Sequence, residues 1–113
     1  MSYFKESEFK CPCCDKAKVS AFLIHLLNKV RNLYGKPMIV NSGFRCEKHN
    51  KAVGGKPNSA HLRGTAADIK CTNSVDRYIL VSLFFEAGFK RMGIYEDFIH
   101  VDVDEELPRP VLW

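Results

Sequence analysis

Apolar residues recur at three- and four-residue steps through "KVSAFLIHLLNKVRNLYG", at Val19, Phe22, Leu23, Leu26, Leu27, Val30 and Leu33. That spacing collects them on one face of an amphipathic helix, which Gly35 and then Pro37 end. His25 falls inside the pattern and reads as a solvated or hydrogen-bonded helix residue. "PMIVN" reads as a short strand. It runs into "SGFRCEKHNKAVGGKPNSAHLRG", a long loop-rich segment punctuated by Gly54-Gly55 and Pro57-Asn58. Loops of that length inside a small domain are usually functional. "TAADIKC" is a second strand. "NSVDRYILVSLFFEAG" is a second helix, with Asn73 or Ser74 as its cap and Gly88 past its end. Its expected buried side carries Val75, Ile79, Leu83, Phe84 and Ala87. "FKRMGIY" and "FIHVDV" follow as an antiparallel hairpin turning at "EDF". This order predicts an α+β domain covering residues 1–113, with a small, mainly antiparallel sheet and helices packed on one side.

Side-chain alternation then sorts the two histidine-bearing regions. In "FIHVDV", Ile99, Val101 and Val103 point toward a core, while His100, Asp102 and Asp104 point the other way. In "TAADIKC", Ala67, Ile69 and Cys71 share one face, and Ala66, Asp68 and Lys70 the opposite one. If the two strands are neighbours, Asp68 and His100 look onto a common surface. The loop before the second strand can carry His61 over it.

Two imidazoles and a carboxylate suit a single zinc ion, Zn2+, and three protein ligands leave a fourth position open, as in catalytic sites. Asp97 is the first candidate for general base, three residues before His100; it reaches the same face only where the chain bulges or turns. Glu96 and Asp102 are its rivals. Asp102 shares the face of His100 and could equally orient that ligand. Arg45, a planar and permanently charged donor, suits the polarisation of a substrate carbonyl. Ser59 could hydrogen-bond a substrate carboxylate or amide. His49 reads as a surface residue.

Composition narrows the partners. Of 113 residues 46% are hydrophobic, enough for a core, and the net charge of +4 is scattered rather than gathered into a basic patch. No nucleic-acid surface is indicated, while approach to an anionic polymer fits. No apolar run is long enough to span a bilayer, so no membrane insertion is expected. Five cysteines, at 11, 13, 14, 46 and 71, accompany a start without the apolar run of a signal peptide, which favours reduced thiols. Cys11 and Cys14 form a C-x-x-C pair. A zinc site there would need two further ligands, such as Cys46 and Cys71, whose spacing fits no familiar knuckle; small buried or turn thiols are the preferred reading.

"NSGFRCEKHNKAVGGKPNSAHLRGTAADI" followed by "GIYEDFIHVDV" resembles the zinc D-Ala-D-Ala carboxypeptidase family of peptidoglycan peptidases, which includes phage endolysins and murein endopeptidases. The S-x-H-x-x-G-x-A-x-D pattern is met by Ser59, His61, Gly64, Ala66 and Asp68, and the later histidine by His100. The resemblance implies that His61, Asp68 and His100 bind zinc. It implies that Arg45, in S-G-[FY]-R, stabilises developing charge, that Ser59 contacts substrate, and that the catalytic carboxylate is Asp97, with Asp102 the alternative. It implies the small metallopeptidase fold shared with the hedgehog signalling domain, and peptidoglycan stem peptides as substrate. A monomer is expected. It would be made in the cytoplasm and reach the wall by a route other than a cleaved signal, as a phage-type lysin would. A catalytically silent zinc-bearing binding module on the same fold is the other reading.

Overall fold

The computed structural model describes residues 2–113. Its first helix, α1 (Ala21–Tyr34), starts where the Ser20 hydroxyl accepts the Leu23 N–H and stops at Gly35, which takes the left-handed conformation at φ 74°. Leu23, Leu26, Leu27 and Val30 are buried along one seam. The seam continues at Tyr34, four residues on, which packs against the core, so Leu33 is left exposed. Phe22 also lies outside the seam, where it stacks on His25. Of the expected stripe, Phe22 and Leu33 therefore fall outside the buried side, while Val19, just before the helix, packs against the core.

The second long helix, α3 (Ser74–Ala87), is capped by Asn73 and closed by Gly88. Its buried residues are Leu80, Phe84 and Ala87, not the expected Val75 and Ile79, which are exposed. Leu83 is partly buried against the core. The physical reason is plain in "YILVSLFF": apolar residues run nearly all round the helix there, so the pattern does not fix which side turns inward.

The strands are β1 (Val40–Ser42), β2 (Ala66–Lys70), β3 (Arg91–Ile94), β4 (Phe98–Asp102) and β5 (Val111–Leu112). They form one sheet in the order β1-β2-β4-β3-β5, antiparallel throughout except for the parallel β3–β5 edge. One face of the sheet presents Ala67, Ile69, Met92, Ile99 and Val101 to α1 and α3, and these residues make one core with the helices. The other face is polar. The α+β class, the antiparallel bias and the helices on one side are as the sequence predicts. The long loop is not structureless: it contains α2 (Glu47–Ala52) and a 3-10 turn, Ala60–Arg63. Each is nucleated by a short polar side chain, the Cys46 sulfur and the Ser59 hydroxyl, accepting a backbone N–H three and two residues on. No helix among the described residues is long and apolar enough to cross a membrane.

The two helices are tied by a capping network. Asn73 Oδ1 accepts the Asp76 N–H at 2.9 Å, Asn73 Nδ2 donates back to the Asp76 carboxylate at 2.8 Å, and Lys36 from the end of α1 donates to it at 2.9 Å. These bonds, Lys36 first, lower the Asp76 carboxyl to about 2. A carboxyl depressed on folding stabilises the fold above its unfolded pKa and loses that contribution as pH falls through its folded pKa. Asp76→Ala should therefore melt below the wild type at pH 7, with the gap shrinking between about pH 4 and pH 2. Thermal melts of both proteins across that range check it; a gap that stays constant with pH would reject the linkage.

Candidate metal centre and its cleft

The polar face of the sheet is built in rows. Asp68 and His100 are direct cross-strand partners, with Ser42 opposite Asp68 on the far side and Gly93 opposite His100. In the next row Ala66, Asp102 and Arg91 stand side by side. The 3-10 turn swings His61 over the first row. His61, Asp68 and His100 then offer ligand atoms that all lie within 4.8 Å of one another. The three predicted metal residues are thus brought together.

Hydrogen bonds outside the trio decide which nitrogens face it. His61 Nδ1–H donates to the Gly43 carbonyl at 2.6 Å, leaving Nε2 turned to Asp68 Oδ1 at 3.3 Å. A carbonyl only accepts, so the proton belongs on Nδ1. His100 is oriented in the opposite sense: Nε2–H donates to Asp102 at 2.6 Å, and Nδ1 faces Asp68 Oδ1 at 2.9 Å. Burial would raise the Asp68 carboxyl, but hydrogen bonds from His100 and His61 outweigh it and hold it well below the usual carboxylate range. Burial likewise opposes charge on His100, and the bonds to Asp102 and Asp68 win, so its pKa is raised. Two imidazoles with outer partners and one ionised carboxylate are a donor set that fits Zn2+.

Asp102 is 1% exposed and is fixed from two sides, by His100 and by Arg91 Nε at 2.9 Å. Arg91 also donates to the Pro108 carbonyl and lies under the Trp113 ring. Trp113 fits against Gly93, where a Cβ would come within 2.4 Å of its indole nitrogen. It leans on the His100 ring and donates Nε1–H to Tyr95 at 2.7 Å. Tyr95, Phe98 and Trp113 make an aromatic wall to a cleft of about 710 Å³ that opens over the trio.

Arg45 stands at the edge of that cleft. Its guanidinium donates to Ser42 at 3.2 Å, to Asn50 at 3.3 Å and to Asp68 Oδ2 at 3.4 Å. Asn50 is itself buried and donates to the Lys56 carbonyl, while Gly55 is pressed on it so closely that a Cβ would lie 2.0 Å from Asn50 Oδ1. Ser59 lines the cleft too; its oxygen accepts the His61 N–H at 3.2 Å, so it shapes the turn that presents His61.

Asp97 is not brought to the cleft. It is an exposed residue of a tight turn in which Tyr95 N–H donates to the Phe98 carbonyl at 3.0 Å. The β2–β4 register runs unbroken from Ala66–Asp102 to Lys70–Phe98, and the Asp97 carbonyl still accepts the Cys71 N–H. The bulge that would turn Asp97 inward is missing, so alternation sends Phe98 into the cleft instead. Glu96 is exposed in the same turn.

Four residues of the site were missed in the sequence. Gly43, Arg91 and Trp113 act through partners far along the chain, and Asn50 through Arg45 and Lys56, which the turn around α2 brings to it. Arg91 and Gly93 were within reach: counting outward from the tight turn places them opposite Asp102 and His100.

No curated protein matches the chain. A family model, Peptidase M15, matches residues 2–102 and so takes in the trio, Arg45 and Asp102. M15 peptidases are zinc-dependent metallopeptidases, which agrees with the donor set on the polar face. With nine-tenths of its length matched, the chain belongs to the Peptidase M15 family.

Proposed function

We propose that this protein is a zinc peptidase that hydrolyses peptide bonds in peptidoglycan stem peptides. The observation that carries the reading is the pair of fixed imidazoles, His61 presenting Nε2 and His100 presenting Nδ1 to the same carboxylate oxygen, at the floor of an open cleft. Held there, zinc would supply Lewis acidity and a water nucleophile at neutral pH.

The chain's own groups do the rest. Arg45 is held beside the trio by Ser42 and Asn50, where its guanidinium can polarise the scissile carbonyl and hold charge developing on its oxygen. Ser59 accepts from His61 and can donate its own O–H to a substrate amide or carboxylate. Arg45, Lys56 and Arg91 line the cleft and make it receptive to the carboxylates of a stem peptide, while the aromatic wall takes its apolar side chains. Asp102 acts as a positioning residue: it holds the Nε2 proton of His100 and so keeps Nδ1 on the cleft side. Asp97 stays outside this machinery.

Digestion of purified cell walls and defined muropeptides, with products weighed by mass spectrometry, tests the proposal. Stem-peptide fragments should appear, vanish with a chelator, and return on addition of zinc. Walls left intact by the zinc-loaded protein would instead favour the silent binding module.

Two substitution experiments divide the roles. Asp102→Asn should weaken zinc binding or activity by about 10–100-fold, as loss of an outer ligand partner does. Asp97→Asn should leave kcat/KM within about twofold, since surface changes away from a site have small effects. Competition with a chromogenic chelator, alongside kinetics, separates the two variants; the reverse ranking would restore Asp97 as the base. Arg45→Ala should lower kcat by about 10²–10³, the usual loss of one oxyanion donor, with zinc content unchanged. Arg45→Lys should recover little of it, because a point charge does not reproduce the fork held by Asn50 and Asp68.

A further inference from the structure

A second cluster of soft donors sits at the other end of the Gly43–Cys46 segment. Cys11, Cys14 and Cys46 each bring a sulfur, and the three sulfurs lie within 4.8 Å of one another. All are free thiols. Cys11 and Cys46 are separated by 35 positions in the chain, yet their sulfurs are 3.7 Å apart. Cys71, once a candidate partner, is elsewhere, with its thiol on the Asn73 carbonyl at 3.8 Å.

The backbone around Cys11 holds its sulfur against Cys46. The turn "CPCCD" is closed in both directions, Asp15 N–H to the Cys11 carbonyl and Cys11 N–H to the Lys16 carbonyl, each at 2.8 Å. Asp15 takes φ 59°, a left-handed conformation uncommon for a residue with a Cβ. The Cys46 N–H donates to the Cys11 sulfur at 3.5 Å, which ties the turn to the start of α2. The Cys46 sulfur in turn accepts the His49 N–H at 3.4 Å.

We propose that Cys11, Cys14 and Cys46 bind a second zinc ion, separate from the catalytic centre, with Cys13, exposed in the same turn, as the fourth donor. A C-x-x-C pair joined by a distant cysteine is a familiar structural zinc arrangement, and thiolates select this metal over hard cations. Each ligating thiol gives up its proton to solvent on binding. The ion would staple residues 9–14 to the start of α2. That staple bears on the catalytic side: the Phe44 N–H donates to the Phe9 carbonyl at 2.8 Å, and Gly43, whose carbonyl orients His61, passes so near Phe9 that a Cβ would lie 2.6 Å from its Cα.

The test is a metal count on the full chain, purified reduced with zinc and then dialysed. The wild type should hold two zinc ions per chain. The double variant His61→Ala/His100→Ala should keep one, and cobalt(II) exchanged into that variant should give the near-ultraviolet thiolate-to-cobalt charge-transfer absorption. Cys14 is exposed, so Cys14→Ser leaves the core intact; it should hold one zinc and lose that absorption. A metal-free His61→Ala/His100→Ala protein, or cobalt bound without thiolate absorption, would overturn the proposal. So would a zinc-treated wild type lighter by two hydrogens, showing a disulfide in place of the ion.

Discussion

Asp68 and His100 face each other across β2 and β4, joined at 2.9 Å, and neither strand chose that pairing for the sake of the site. It is imposed by the residues on the reverse side. Ala67 pairs with Val101 and Ile69 with Ile99, and all four are fully buried against the helices. A slip of one position in either strand would turn its two apolar residues outward and carry its own carboxylate or imidazole into the core, which is why a half-buried sheet holds its register so firmly. The geometry of the metal centre is therefore a by-product of hydrophobic burial, delivered to the opposite face by the pleat.

Burying so many carboxylates demands compensation, since an unpaired interior charge costs several kcal/mol. The chain answers with one arginine for each. Asp68 has Arg45, Asp102 has Arg91, and Asp104 has Arg63, which binds it with two nitrogens at 2.7 and 2.8 Å while Thr65 donates a third bond. The three pairs differ in what they free. Arg63 and Asp104 satisfy each other and close the end of β4. Arg91 leaves Asp102 one oxygen for His100. Arg45 meets Asp68 at 3.4 Å, the loosest contact of the three, and so keeps donors turned to the cleft. A structural motif repeated along the sheet is graded into a functional one.

How much of this could be read in the chain depends on the range over which each feature is decided. The alternation of Ile99 and Val101 with His100 and Asp102 is local, and it puts the candidate ligands on the face where the structure has them. The spacing of Ser59, His61 and Asp68 is local too. Asp97 lies outside the cleft because its position turns on a bulge that the sequence permits and the structure does not make. The phase of α3 was lost in an apolar run with no polar side to mark solvent. Cys46 meets Cys11 only because Phe9 lies along Gly43, a contact between segments that no spacing rule connects. Arg91 meets Asp102 only through the β3–β4 pairing, which the sequence does not show at either residue alone.

The crossing of Phe9 over Gly43 has a consequence for anyone who would transplant this centre. The strands bearing Asp68 and His100 could be grafted with their loop into another scaffold, and the three ligands would travel with them. The carbonyl that tells His61 which nitrogen to offer belongs to β1's end, and the room for that end is made by a glycine under an N-terminal chain segment. A minimal portable unit must therefore begin before residue 9, or its first imidazole will arrive free to choose the wrong tautomer.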